Sequence, residues 1–169
     1  HTDYDDLIDA INIINADTTV DLVVFCGDMT DNGILREFEI FHRYMENLKK
    51  PYFTVIGNHD CLANGTHIYE SMFGEVNYSV RKGIYHLVFF KDNIPPYTDQ
   101  LSGYFEQKYR TTMKNNNISL TVNGHNHDFY QGHYYHDATE YLVVGSTQHR
   151  TYVNITLGQS GYVINRVRF

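Results

Sequence analysis

Two histidines one residue apart, in Asn123-Gly124-His125-Asn126-His127, follow directly on the apolar run Ile118 to Val122. A strand turns alternate side chains to one face, so a His-x-His where a strand meets a loop can aim both imidazoles at a single point. Imidazole is the commonest protein metal ligand, which makes a metal centre the chemistry to expect there. Histidines also occur in loops without chemical reason, and the pair alone decides little. Two earlier segments repeat the pattern. Asp21 to Cys26 reads as a short buried strand opening onto Gly27-Asp28-Met29-Thr30-Asp31, and Tyr52 to Ile56 as another opening onto Gly57-Asn58-His59-Asp60. Three times an apolar strand delivers a glycine followed at once by oxygen or nitrogen donors. A strand turning sharply at its carboxyl end calls for a positive φ, and a backbone packed against an ion leaves no room for a Cβ, so each glycine has a reason.

The elements that must carry these loops follow from periodicity. Apolar residues at helical spacing mark Tyr4 to Ile14 (Leu7, Ile8, Ile11, Ile14) and Ile34 to Leu48 (Phe38, Phe41, Tyr44, Met45, Leu48). With the strands at Asp21 and Tyr52 between and after them, the alternation implies parallel strands, and open α/β sheets gather ligands at the carboxyl ends of such strands. Short strands dominate from Tyr78 onward, and Gln100 to Lys114 reads as a helix before the Ile118 strand. After His127, the segments Phe129 to Tyr135, Glu140 to Val144, Thr151 to Leu157 and Gly161 to Phe169 read as successive antiparallel strands. The expectation is an α/β protein, a layered α/β/β/α sandwich of two mixed sheets.

The three loops resemble the signatures of the calcineurin-like metallophosphoesterases, which read D-x-H, G-D-x-x-D, G-N-H-D/E, H-x-P-P and G-H-x-H along the chain. Three of the five stand here in that order and span most of the sequence. The resemblance implies a metallo-dependent phosphatase fold and two divalent ions (Mn, Fe, Zn or Co). It implies that Asp28 bridges both ions, that Asn58 and His125 bind the second and His127 the first, and that His59 binds none. His59 is instead the expected proton donor or transition-state stabiliser, oriented by Asp60. The implied reaction is in-line attack on a phosphomonoester or phosphodiester by a hydroxide held between the ions, with His59 assisting the departing alkoxide. A carboxylate can span ions about 3.5–4 Å apart, and a neutral amide ligand keeps the cluster attractive to phosphate. Purple acid phosphatases, which resemble this family, carry a tyrosine at the place of Asp31, and this argues against an iron–tyrosinate centre.

Two signatures are not complete. The chain opens on His1, which stands where the last residue of D-x-H and a metal ligand would be; on this reading the first strand and its aspartate precede it. Ile94-Pro95-Pro96-Tyr97 resembles the tail of H-x-P-P, and either Asn93 replaces the histidine or a segment carrying it is absent between Asn93 and Ile94. Residues 1–169 are thus expected to be one calcineurin-like domain, incomplete at the N-terminus and near 93–94. The competing reading is a degenerate relative that, lacking those two ligands, binds a ligand or partner without turnover.

Plainer roles compete elsewhere. Asp28 and Asp31 suit a turn and helix cap, and for Asp31 and Asn32 capping is the preferred reading. His42, His86, His133 and His136 fall in regular elements or among tyrosines and read as structural; His67 and His149 fall in expected loops that could approach a substrate, and neither is assigned to the site. Cys26 reads as a buried inert thiol, and Cys26 and Cys61 together demand no disulfide framework.

Composition fits a single globular domain: 169 residues, 42% hydrophobic and 20% charged, burying roughly two-thirds of its unfolded surface. No run approaches the ~20 apolar residues of a membrane span. A net charge of −7 argues against extended contact with a nucleic-acid backbone and favours a small phosphate ester as substrate. Four N-x-S/T sequences, at Asn64, Asn77, Asn117 and Asn154, are glycan acceptors in a eukaryotic secretory protein. The compartment stays open between cytoplasmic and exported after loss of a leader, as does the oligomeric state.

Overall fold

Helix α1 (Tyr4–Ala16) forms because Leu7, Ala10 and Ile11 recur at three- and four-residue spacing and bury one stripe, while Asp5 and Asp6 in its first turn complement the positive end of the helix dipole. The computed structural model describes residues 4–91 and 99–169, the side chains of 99–105 excepted. His1 and the Asn93–Ile94 junction with the prolines after it lie outside the described residues. Strand β1 (Val23–Phe25) is followed by helix α2 (Leu35–Met45), which buries Phe38, Phe41 and Met45, and by strand β2 (Tyr52–Thr54). The two strands pair in parallel, Val23 opposite Tyr52 and Phe25 opposite Thr54. Parallel neighbours need a crossover, and α2 supplies it.

Helix α2 departs from expectation at its start. Its N-cap is Ile34, in extended conformation and without a side-chain cap. In place of a cap from Asp31 or Asn32, Glu37 reaches back and accepts from both the backbone N–H and the side-chain amide of Asn32, each at 2.9 Å. His67 likewise does not lie in a loop: it belongs to helix α3 (Gly65–Phe73), which follows a single 3-10 turn at His59–Cys61. Ile68, Tyr69, Met72 and Phe73 carry the helical period there. The principal core joins α1, α2 and α3 over the β1–β2 pair: Leu7, Ile11, Phe38, Phe41, Met45 and Tyr69 close on Met29 and Ile56 from the loops beyond the strands.

Strands β3 (Tyr78–Lys82) and β4 (Tyr85–Phe89) form a hairpin, and helix α4 (Asp99–Asn115) precedes β5 (Leu120–Asn123). Strand β7 (Glu140–Val143) lies at the centre of a mixed three-stranded sheet, parallel to β5 and antiparallel to β6 (Tyr130–Gly132). Strands β8 (Thr151–Gly158) and β9 (Gly161–Arg168) make a long hairpin. The expected unbroken antiparallel series after His127 therefore holds for β6–β7 and for β8–β9 but stops between β7 and β8. There a 3-10 turn at Thr147–His149, ending on Arg150 in the left-handed conformation (φ 52°), redirects the chain. The mixed α/β class is as expected, with the described strands hydrogen-bonded as five ladders in four sheets.

Phe38 is fully buried at the meeting of the three helices. Phe38→Ala should lower unfolding free energy by about 3–5 kcal/mol, read as a fall in the urea midpoint at unchanged slope.

Candidate metal centre

The carboxyl ends of β1, β2 and β5 open onto the three glycine loops, and those loops meet backbone to backbone. A Cβ built on Gly27 would lie 2.8 Å from the Cα of Gly57; one on Gly57 would fall 2.1 Å from both the backbone nitrogen and Oδ1 of Asp28; one on Gly124 would fall 2.5 Å from the carbonyl oxygen of Cys26. Of the three glycines only Gly27 has a positive φ, +93°. The expected left-handed turn at each glycine thus holds at one position, and the other two are glycine because another chain segment occupies the space of a side chain. The left-handed conformation falls instead on the candidate ligands Asp28 (φ 53°), His125 (φ 78°) and His127 (φ 58°). Such conformations cost on the order of 1–3 kcal/mol each at a non-glycine residue and persist only when the surroundings impose them.

Side chains tie the loops further. Oδ1 of Asp28 accepts the backbone N–H of His59 at 3.0 Å, linking the first loop to the second. The imidazole Nδ1 of His125 lies 2.9 Å from Oδ1 of Asn58, linking the second to the third. Nδ1 of His59 lies 2.9 Å from the carbonyl oxygen of Asp31. A carbonyl only accepts, so Nδ1 carries the proton and Nε2 is left to exchange one with a reacting group. This bond, followed by the charges of Asp28, Asp31 and Asp60, raises the His59 pKa above its usual value against the opposing effect of burial.

The orienting role expected of Asp60 is corrected here: its side chain does not hold the His59 ring. Asp60 is fully buried, and its two oxygens accept the N–H and hydroxyl of Thr30, each at 2.9 Å, and the N–H of Gly57 at 2.8 Å. Burial raises its pKa, and these donors, with the N–H of Met29, pull the other way. Asp60 is therefore a strut between the first two loops, a role that Thr30 shares and that nothing about Thr30 in the sequence singled out. Burial pushes the Cys26 thiol up to about 11. His127 stands on the same loop as His125, but its ring meets that of His149 edge-on, centroids 5.8 Å apart, and His149 Nδ1 lies 3.3 Å from the His127 carbonyl.

Among the described residues no three His, Cys, Asp or Glu side chains gather as a metal-binding group. The donor types nonetheless suit divalent ions, which take mixed nitrogen and oxygen ligands. Asn58 Oδ1 and His125 Nδ1, an oxygen and a nitrogen donor of the kinds divalent ions take, stand 2.9 Å apart as hydrogen-bond partners. Metal binding between them would displace the imidazole proton from Nδ1, so affinity would depend on pH.

The profile of the calcineurin-like phosphoesterase family matches residues 1–109. The chain belongs to that family. Among curated relatives, a probable glycerophosphodiester phosphodiesterase from Arcobacter nitrofigilis is 39% identical over 54 residues, which are 32% of this chain and 20% of that protein. A probable cyclic nucleotide phosphodiesterase from Xenorhabdus bovienii is 31% identical over 64 residues, 38% of this chain and 26% of that protein. The matched stretch thus spans about a quarter or less of these relatives' length. Among solved structures, a double mutant of Vps29 from Entamoeba histolytica superposes with a TM-score of 0.55 at 11% identity, over 94% of this chain and 87% of that one. A Thermotoga maritima protein solved by NMR gives 0.53 at 14%, over 93% and 86%. At such identities these two show the shared phosphoesterase fold alone.

Gly57→Ala places a methyl group onto Asp28 and should cost about 1–3 kcal/mol, seen as a lowered thermal midpoint. In the metal-free protein, NMR titration should place the His59 midpoint above the ordinary histidine value of 6.5. Because the folded state then holds the proton more tightly than the unfolded chain, the stabilising contribution is full below the unfolded pKa and disappears as pH rises through the folded one.

Proposed function

We propose that the protein is a metal-dependent phosphoesterase acting on a small phosphomonoester or phosphodiester. The observation that carries this reading is the contact of Asn58 with His125, two donors from separate loops held edge to edge beside Asp28 and His59. Asp28, Asn58, His125 and His127 would hold two divalent ions, of Mn, Fe, Zn or Co. When bound, such ions supply Lewis-acid charge that acidifies water and neutralises the phosphoryl oxygens. The residues of the chain do the rest. His59, fixed through Nδ1 on the Asp31 carbonyl, presents Nε2 to the ester oxygen. As the bond from water oxygen to phosphorus forms and the bond to the ester oxygen breaks, Nε2–H passes its proton to the leaving alkoxide, and the proton of the attacking water goes to solvent. Asp60 positions this arrangement by bracing the loops, without touching the reacting atoms.

The names of both curated relatives favour a diester. A net charge of −7 supports a small substrate over extended nucleic acid. No described helix is long and apolar enough to cross a membrane.

His59→Asn should lower turnover of a model diester such as bis(p-nitrophenyl) phosphate by roughly 10²- to 10⁴-fold while metal content by plasma mass spectrometry stays unchanged. Two ions per chain with hydrolysis in the parent protein is the expected result. One ion or none, without hydrolysis of any phosphoester, would instead establish the non-catalytic binding protein.

A further inference from the structure

Besides the three glycine loops, a fourth segment reaches the candidate ligands. The chain leaving β7 is tied to the exit of β5 by the Val144 N–H, which donates to the Asn123 carbonyl at 2.9 Å, and it then turns through Thr147–His149. The turn is well fixed. Ser146 Oγ accepts the Gln148 N–H at 3.2 Å and the Ser146 carbonyl accepts the His149 N–H at 2.9 Å, while Arg150 anchors the far end on α1 through Asp6 and Asp9. This segment closes on the His127 backbone at two points. A Cβ built on Gly145 would lie in van der Waals contact with the His127 carbonyl oxygen, 3.7 Å away, and His149 Nδ1 stands 3.3 Å from the same oxygen. The His149 ring meets that of His127 edge-on, centroids 5.8 Å apart and planes at 82°. A ligating imidazole is ordinarily aimed by a partner on its second ring nitrogen. No described residue hydrogen-bonds the His127 ring, whereas His125 rests on Asn58 and His59 on the Asp31 carbonyl. The His127 backbone is moreover left-handed, at φ 58°, a conformation that its surroundings must impose.

We infer that His149 is a positioning residue for the metal centre: it sets the direction of the His127 imidazole, holding the His127 carbonyl through Nδ1–H and the ring by edge-on packing. The inference rests on the phosphoesterase reading, in which His127 binds the first ion. A carbonyl only accepts, so the neutral His149 ring carries its proton on Nδ1. The hydrogen bond restrains the peptide unit that follows the His127 Cα, and the edge contact narrows the rotation of the ring about its side-chain bonds. Binding an ion at His127 then has less side-chain freedom to remove. In this role His149 touches neither ion nor substrate.

The test is calorimetric titration of the metal-free protein with Mn, alongside hydrolysis of bis(p-nitrophenyl) phosphate. In His149→Ala one of the two Mn affinities, the one that His127→Ala abolishes, should fall about 10- to 100-fold while the other stays within about threefold of the parent. The thermal midpoint of the metal-free protein should not change. His149→Asn, whose side-chain amide can donate from nearly the place of Nδ1, should restore most of the loss. In the metal-free parent, long-range proton–nitrogen NMR should find the neutral His149 ring protonated on Nδ1. Mn affinities unchanged in His149→Ala, or a parent ring protonated on Nε2, overturn the positioning role. So does an asparagine variant no better than alanine, which would make His149 a direct ligand. In each case hydrolysis by the Mn-loaded parent leaves the phosphoesterase reading intact. A parent that binds fewer than two Mn ions and hydrolyses no phosphoester overturns both.

Discussion

The arrangement depends on how closely three backbones approach one another. Gly27 against Gly57, Gly57 against Asp28, and Gly124 against the Cys26 carbonyl leave no volume for side chains between the loops. Each contact is short because a glycine stands on at least one side, and each brings a polar residue from one loop next to one from another. Bulk at any of these positions would separate Asp28, Asn58 and His125, which are distant in sequence and meet only here. The left-handed backbone at Asp28, His125 and His127 is the complement of this crowding. Three candidate ligands thus carry a local conformational cost that packing elsewhere must maintain, as do Ala63, Asn117, His136 and Arg150 away from these loops.

The second support is the buried carboxylate of Asp60. An ion in that position is tolerated because Thr30 and Gly57 supply donors to both of its oxygens. It fastens the loop after β1 to the loop after β2 directly above the principal core. The core residues Met29 and Ile56 sit next to these donors in the chain, so hydrophobic packing and the polar strut reinforce the same geometry. His59, by contrast, is exposed, its backbone N–H bound by Asp28 and its ring held through Nδ1 on the Asp31 carbonyl.

Much of this was legible in the sequence for physical reasons. The parallel strands, the first, second and fourth helices and the three donor loops all announce themselves through apolar period and glycine position, because burial of one face and turning at a strand end are local requirements. What escaped is non-local. Asp60 follows His59 directly, and adjacency suggested a partnership; its real partner, Thr30, is thirty residues away. Gly57 and Gly124 look like turn glycines, and only the position of another segment reveals that their lack of a side chain matters more than their backbone angles. Helix α3 carries a readable pattern but is short and begins on Asn64-Gly65-Thr66, which reads as a turn. The contact of His149 with His127 depends on how the chain folds back after β7, and no spacing rule reports it.

Arg150 illustrates the same point at the level of the whole molecule. Its left-handed backbone aims the guanidinium at Asp6 (2.7 Å) and Asp9 (3.1 Å) on α1, while Nε donates to the Phe169 carbonyl at 2.7 Å. One side chain thereby grips the beginning of the described chain and its last residue together. The two ion pairs reach solvent and add little to global stability, yet they join residues 144 and 141 positions apart in the chain. Raising ionic strength should loosen that clasp first, freeing the opening helix and the terminal hairpin to fray while the glycine-packed centre remains intact.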